Sequence, residues 1–285
     1  MVRRSYRRFR RSVFVAVCLI SVAGLLTGSL TPGPTVRVPL RVLQMNLCDS
    51  GIADCYTGRS VTEAAGVIRT DAPDVVTLNE VCRTDVYTLD QALTDVDRGS
   101  TVVWAFKAAT DRRTGGAFRC RNGEPYGIGL LARIPAPRRG YTTSSGIYPT
   151  QDRTDPEERA WLCLHAIGSF YACATHLANT SPTVAFAQCG YLLNTAIPAV
   201  RAHDGGYEPT VLGGDLNLRY GGSPDVRSCV PSGYLRWGDG GVQDIVATSD
   251  FTITVATSIG MSGTTDHPGL LVALTSAGVA AEPGQ

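Results

Sequence analysis

Ser262-Gly-Thr-Thr-Asp-His-Pro-Gly-Leu-Leu-Val272 sets an acid and an imidazole, Asp266 and His267, at the mouth of an apolar run that continues to Leu274. A short apolar run behind turn residues is the pattern of a buried β-strand. A carboxylate and an imidazole at the entrance of such a strand are poor core material, since burying polar groups without partners is costly, and they are good reaction chemistry. The same design recurs upstream. Leu43-Gln-Met-Asn46, Val75-Val-Thr-Leu-Asn-Glu80 and Val211-Leu-Gly-Gly-Asp-Leu-Asn217 are apolar runs ending in amides or carboxylates, and Tyr171-Ala-Cys-Ala-Thr-His176 ends in histidine.

The first 33 residues are of another kind. Arg3, Arg4, Arg7, Arg8, Arg10 and Arg11 precede the apolar stretch Val13–Leu26, and small and turn residues follow from Gly28 to Gly33. A basic start, an apolar middle and a polar exit make an export signal. Residues 1–33 are therefore expected to be a signal peptide, or an anchor if left uncleaved, and residues 34–285 the functional domain. Arg10-Arg11-Ser-Val-Phe14 is similar to a twin-arginine signal, a route for proteins folded in the reducing cytosol. The cysteines argue against that route. Cys18 falls in the leader, and the other eight form an even set suited to disulfides made after transport. Cys48–Cys55 would close a local loop, and Cys163 would face Cys173 across a turn at 167–169, while the pairing of the other four stays open. No tight Cys-x-x-Cys pair suggests zinc. The leader also holds six of the 26 basic residues and none of the 25 acidic ones, which leaves the domain a net charge of −5. Net charge thus draws it to no polyanion, and any nucleic-acid contact needs a local basic patch.

With 44% hydrophobic residues the chain can bury one large core. Strands are expected at 38–45, 73–78, 102–108, 127–132, 209–212, 242–246, 251–255 and 270–274, with 159–166 and 170–175 as an antiparallel hairpin. Helices are expected at 61–69, with Ser60 as N-cap and Glu63 at the capping-box position, at 84–93 and at 183–200. Residues 110–126, rich in Gly and Arg, read as irregular. Strands mixed with helices and hairpins indicate an α/β domain with mixed sheets rather than a parallel doubly wound one.

In their order and spacing, the five polar strand ends resemble the endonuclease/exonuclease/phosphatase superfamily, the group of deoxyribonuclease I, over residues 38–274. The resemblance implies a four-layer α/β sandwich, two mixed β-sheets face to face and flanked by helices. It also implies roles. Asn46 and Glu80 would hold a divalent ion, with Asp266 as a second-metal or phosphate-side carboxylate. Such oxygen donors suit Mg²⁺ or Mn²⁺, with Ca²⁺ as a structural ion, rather than zinc. Asp215 would position the attacking water and Asn217 steady the phosphoryl oxygens. Two residues apart on an extended chain, they would point the same way, although Gly-Gly-Asp also suits an Asx turn. His176 and His267 would sit at the scissile phosphate, because an imidazole can give or take a proton near neutral pH. Asp244 would orient His267. Arg159 and Tyr126 would contact phosphate, though a strand-edge surface position suits Arg159 equally well. His165 and His203 lack this context and are expected to be structural or exposed.

Members of the superfamily cut DNA, dephosphorylate inositol lipids or hydrolyse sphingomyelin. Residues 107–124 carry Lys107, Arg112, Arg113, Arg119 and Arg121 against Asp111 and Glu124. That local positive excess would track a phosphate backbone, or else form a solvated loop. Gly213-Gly-Asp-Leu-Asn-Leu-Arg-Tyr220 is similar to a signature of inositol polyphosphate phosphatases, but their Pro-x-Trp-x-Asp-Arg is absent and Thr265-Asp-His-Pro268 stands instead. No aromatic-rich hairpin suits membrane insertion. The expectation is a secreted, metal-dependent nuclease acting on DNA. It would be monomeric, without a stable protein partner, and off the membrane unless the leader stays attached. A secreted phosphatase or phospholipid phosphodiesterase is the alternative. A catalytically idle binding module is a third class, which the full set of site residues disfavours.

Overall fold

The computed structural model describes residues 35–36, 39–134, 140–276 and 279–280; the expected signal peptide falls outside them. Among the described residues, twelve strands of five or more residues follow in chain order. They are β1 Pro39–Asn46, β2 Val75–Cys82, β3 Thr101–Ala108, β4 Tyr126–Ile134, β5 Tyr141–Ile147, β6 Ala160–Ala166, β7 Phe170–His176, β8 Thr210–Asp215, β9 Tyr234–Gly238, β10 Gln243–Thr248, β11 Phe251–Ile259 and β12 Gly269–Ser276. The α-helices are α1 Ser60–Asp71, α2 Arg83–Val96, α3 Pro182–Tyr191 and α4 Ile197–Asp204. No described helix is long and apolar enough to cross a membrane.

The strands form two six-stranded sheets, ordered β11-β12-β1-β2-β4-β3 and β9-β10-β8-β7-β6-β5. Each sheet has one parallel pair at its middle, β1 with β2 and β7 with β8, and antiparallel neighbours elsewhere. Period-two alternation decides the layers. Inner positions such as Val42, Leu130, Leu164, Ala172 and Val272 fill the core between the sheets. Outer positions Leu43, Met45 and Leu78 pack on Ile68, Leu89 and Leu93 of α1 and α2. On the other side Leu212 and Val246 pack under Ala185, Leu192 and Ile197 of the α3–α4 layer. The result is the expected four-layer sandwich.

Several local expectations change. The helix expected at 183–200 is interrupted by a π-turn, Leu192–Ala196, just before Pro198 at the start of α4; proline brings no N–H to an i−4 carbonyl. Ser60 is not the cap of α1. Its Oγ donates to Asp49 Oδ1 at 3.0 Å, and Glu63 Oε1 accepts from Ser262 at 2.7 Å, so no capping box forms. The unanticipated β5 and β9 are edge strands, paired on one side only. The eight described cysteines form Cys48–Cys55, Cys82–Cys120, Cys163–Cys173 and Cys189–Cys229. The first and third are the two pairings the sequence suggests, and Cys163 stands directly opposite Cys173 across β6 and β7.

Candidate active site

The two central parallel pairs end at the same edge of the sandwich, and there the inner face turns from apolar to polar. Along β1 the inner positions run Leu40, Val42, Gln44, Asn46; along β8 they run Val211, Gly213, Asp215. His176 at the end of β7 stands in register with Asp215 at the end of β8. The strand after His267 runs antiparallel to β1, with Leu270 opposite Gln44, so the Asp266–His267 pair arrives at the same edge. A bulge in β2 places Asn79 and Glu80 against the single residue Ile128, and Glu80 takes φ +55. Bulges of this kind re-aim a side chain. Here Asn79 keeps the inter-sheet face while Glu80 turns to the edge.

Asp215 is the hub. Its Oδ2 accepts from Asn46 Nδ2 at 3.2 Å and Gln243 Nε2 at 2.8 Å, its Oδ1 accepts from the Asn217 N–H at 3.0 Å, and His267 Nε2 lies 3.6 Å from Oδ2. Asn46 also donates to Glu80 Oε1 at 2.9 Å, and His176 Nε2 stands 4.0 Å from the same oxygen. A second tier lies beneath. Gln44 Nε2 donates to Asn79 Oδ1 at 2.6 Å and to Gln243 Oε1 at 2.9 Å, its Oε1 accepts from Thr77, and Asn79 Oδ1 accepts the Asp215 N–H at 2.7 Å. Gly213 makes room for this tier, since a Cβ there would overlap the Thr77 hydroxyl. Gln44, Thr77, Asn79 and Gln243 are not among the site residues expected from the sequence; amides and hydroxyls at alternate positions of apolar strands are the signal that marks them.

Burial sets the electrostatics. It pushes the Glu80 and Asp215 carboxyls above the ordinary carboxylate range; hydrogen bonds from Asn46 oppose this for both, as does His267 for Asp215. Asp215 and Asp266 add repulsion at Glu80. The imidazole of His176 is pushed well down, first by burial and then by the positive charges of Arg159 and His267, so it is neutral near pH 7. Buried carboxyls that repel one another fit a hard divalent cation, which would neutralise what burial penalises. Asn46, Glu80 and Asp266 are the candidates to hold it; as the side chains stand, Asn46 turns Nδ2 to Glu80 and its Oδ1 accepts the Cys48 N–H at 3.1 Å, and Thr265 Oγ1, beside Asp266, donates to the Asn46 carbonyl at 2.9 Å.

Other expected site residues fall elsewhere. Asp244 does not orient His267. Alternation along β10 puts Gln243 on the inter-sheet face and Asp244 on the opposite one, where Arg236 holds it at 2.5 Å. Asn217 does not simply extend the strand. It takes φ +50, and its N–H closes an Asx turn on Asp215, while its Nδ2 donates to the Leu177 carbonyl at 2.9 Å. Arg159 is neither a surface residue nor a free cation: it is 3% exposed, 3.0 Å from Asp155 and 3.3 Å from Glu157. Burial pushes the Glu157 carboxyl up to about 7. Tyr126 is buried against Phe118. Arg113 is engaged by Asp111 at 3.0 Å, and Arg112 by Glu158 at 3.5 Å and the Asp152 carbonyl, so neither is a free cation. Arg119 reaches the Gly123 carbonyl at 2.6 Å, and Arg121 is exposed. His165 is structural as expected, stacked on Tyr171 and 3.0 Å from Glu208, and His203 is exposed.

The family model for the Endonuclease/Exonuclease/phosphatase family matches residues 55–268. No curated protein matches the sequence. Among solved structures, an endonuclease/exonuclease/phosphatase from Beutenbergia cavernae DSM 12333 is similar at 20% identity and a TM-score of 0.59, over 85% of this chain and 72% of that one. An endonuclease/exonuclease/phosphatase family protein from Bacteroides thetaiotaomicron is similar at 12% identity and a TM-score of 0.60, over 85% and 99%. ANGEL2, a 2′,3′-cyclic phosphatase solved with adenosine-2′,3′-vanadate, is similar at 13% identity and a TM-score of 0.56, over 85% and 97%. At these identities the likeness is one of fold.

Proposed function

Because this chain belongs to the endonuclease/exonuclease/phosphatase family, whose members hydrolyse phosphoester bonds, we propose that it is a secreted, divalent-metal-dependent phosphodiesterase that cuts DNA by in-line attack of water. One observation carries the proposal. A buried carboxylate, Asp215, touches Asn46 of the metal-donor group and lies 3.6 Å from the imidazole of His267. A bound Mg²⁺ or Mn²⁺ supplies charge neutralisation at the phosphate. Asp215, held by donors on both oxygens, orients the water and takes its proton. Neutral His176 and the second hydrogen of the Asn217 side-chain amide, whose first is given to the Leu177 carbonyl, donate to the phosphoryl oxygens as their charge grows. His267, beside Asp215 and one-quarter exposed, handles the proton of the leaving oxygen.

Nucleic acid is favoured by a cleft whose wall includes Gln151, the residue whose Oε1 accepts the Arg159 N–H at 2.8 Å. The cleft, about 570 Å³, is lined by Arg112, Tyr148, Gln151, Arg153 and Glu158; Arg112 is neutralised by Glu158, so Arg153 carries its positive charge, and exposed Arg119 and Arg121 follow in the 107–124 segment. ANGEL2, of similar fold, is a 2′,3′-cyclic phosphatase solved in complex with adenosine-2′,3′-vanadate. Four disulfides accord with export. The test is the purified protein with Mg²⁺ on plasmid DNA, RNA, sphingomyelin and inositol phosphates in parallel. DNA cleavage abolished by EDTA is expected. Turnover of a lipid or inositol phosphate without nucleic-acid cleavage would replace this substrate.

A further inference from the structure

We infer that two of the four disulfides, Cys48–Cys55 and Cys82–Cys120, are positioning devices for the divalent-ion site, which is fully assembled only in the oxidised chain. The inference rests on the metal site proposed above. Cys48 stands two residues beyond Asn46, and Cys82 two residues beyond Glu80. Each bridge thus fixes the chain just past a proposed oxygen donor. The backbone there does not hold itself. Glu80 has φ +55 within the bulge of β2, and Cys48 has φ +46. Non-glycine residues keep such conformations only where the surroundings impose them.

The two bridges are also tied to each other. The Cys48 N–H donates to Asn46 Oδ1 at 3.1 Å and so fixes that side chain. The Asp49 N–H donates to the Glu80 carbonyl at 2.8 Å, and the N–H of Arg121, next to Cys120, donates to the Ser50 carbonyl at 2.8 Å. A closed circuit of covalent and hydrogen-bonded links therefore runs from Asn46 through Cys48, Asp49 and Ser50 to Arg121, Cys120, Cys82 and Glu80. The segments are in close contact: a Cβ on Gly51, which has φ +73, would lie 2.9 Å from Cβ of Arg121. Cutting Cys82–Cys120 leaves only the Asp49–Glu80 hydrogen bond to join the two donors, and cutting Cys48–Cys55 releases the 48–55 loop from which that bond and the contact to Asn46 are made.

Cys189–Cys229 is a matched control. It closes 40 residues against 38 for Cys82–Cys120, so the two constrain the unfolded chain about equally. It lies in the outer cluster beneath α3 rather than beside a donor. The experiment measures Mn²⁺ binding to the full chain by paramagnetic resonance of the free ion, with circular dichroism as fold control. The variants are Cys48→Ser/Cys55→Ser, Cys82→Ser/Cys120→Ser and Cys189→Ser/Cys229→Ser. The first two are expected to weaken binding about tenfold or more, as loss of groups that orient metal ligands does, and the third less than about twofold on the same scale. Wild-type protein that binds no Mn²⁺ would defeat the metal reading itself. Wild-type protein that binds, with all three variants unchanged or all three equally weakened, overturns the inference alone.

A reciprocal measurement covers a variant that does not fold. Wild-type protein is reduced with tris(2-carboxyethyl)phosphine, with and without Mn²⁺, and each bridge is followed by differential alkylation and mass spectrometry. Each reduction moves two electrons from the phosphine to the disulfide. Water supplies the oxygen of the phosphine oxide and the protons of the two thiols. By linkage, a site organised by the bridges disfavours their reduction in return, and reduction that must first open the loaded site is slower by the same margin. Bound Mn²⁺ is expected to slow loss of Cys48–Cys55 and Cys82–Cys120 severalfold and to leave Cys189–Cys229 unchanged. Equal rates with and without Mn²⁺ overturn the inference.

Discussion

Replacing Asn79 with leucine removes the amide that ties the two sheets together beneath Asp215. Asn79 is fully buried. Its Oδ1 accepts from Gln44 Nε2 at 2.6 Å and from the Asp215 N–H at 2.7 Å, and its Nδ2 donates to the Thr175 carbonyl at 2.8 Å. Leucine is close to asparagine in size, so the cavity contribution is small. Gln44 Nε2 keeps Gln243 as a second partner at 2.9 Å. The Asp215 N–H and the Thr175 carbonyl lose their partner on the first sheet. A buried polar group left unpaired costs about 1–3 kcal/mol, so two such losses amount to about 2–6 kcal/mol. That is a large share of the roughly 5–15 kcal/mol by which domains are stable. Urea unfolding under non-reducing conditions should show a clearly lower midpoint at an unchanged m-value. Turnover should also fall at temperatures where the variant stays folded, because the Asp215 backbone is no longer pinned. A loss under about 1 kcal/mol, with turnover intact, would refute the idea that this amide holds the sheets in register.

Three further outcomes are expected. Asp215→Asn and His267→Ala should each lower turnover by roughly a hundredfold or more with the fold intact by circular dichroism, and the double variant should lose far less than the product; a folded Asp215→Asn protein with near wild-type turnover would sink the assignment. Gly213→Ala drives a methyl into the Thr77 hydroxyl and should cost about 1–3 kcal/mol in urea unfolding, whereas wild-type stability would show that the sheets separate freely. Burial raises the Glu157 carboxyl from its ordinary 4.5 to about 7, so between those values the folded state holds more protons than the unfolded one. Stability should fall as pH rises across that window and level off above it; Glu157→Gln should flatten the dependence, and identical pH profiles for both proteins would contradict it.

The polar strand ends were legible because strand alternation is a rigid code. An apolar run ending in Asn46, His176 or Asp215 announces which face those residues share. The same rigidity explains the error at Asp244. A shift of one residue moves a side chain to the opposite face, and Gln243, not Asp244, looks toward Asp215. The bulge at Asn79 and Glu80 leaves no local mark, since nothing in Leu-Asn-Glu-Val announces φ +55 at a glutamate. Cys163–Cys173 follows from a hairpin, whereas Cys82–Cys120 and Cys189–Cys229 depend on where distant segments come to rest. The basic segment looked stronger in sequence than it is in space. Arg112 meets Glu158 across 46 residues, and Arg113 turns back on Asp111.

The division of labour between the sheets has a mechanical consequence. The first sheet carries Asn46 and Glu80, the proposed ion donors, and the second carries His176 and Asp215, proposed to contact the phosphoryl oxygens and to hold the water. Their separation is therefore set by how closely the two sheets pack. A buried polar network is less stabilising than a dry apolar one of the same shape. Its return here is geometric. With Oδ1 held by Asn217 and Oδ2 by Asn46 and Gln243, the Asp215 carboxylate cannot rotate away from His267. The apolar core below acts as the spacer. Val42 and Leu164 carry no polar group for the site, yet they belong to the layer that fixes the distance between the sheets. Interiors packed at crystal density transmit such changes rather than absorb them. Enlarging or truncating these side chains would alter turnover through the gap between Asn46 and Asp215, and the hydrogen bond that spans that gap makes the site a gauge of how the whole sandwich is packed.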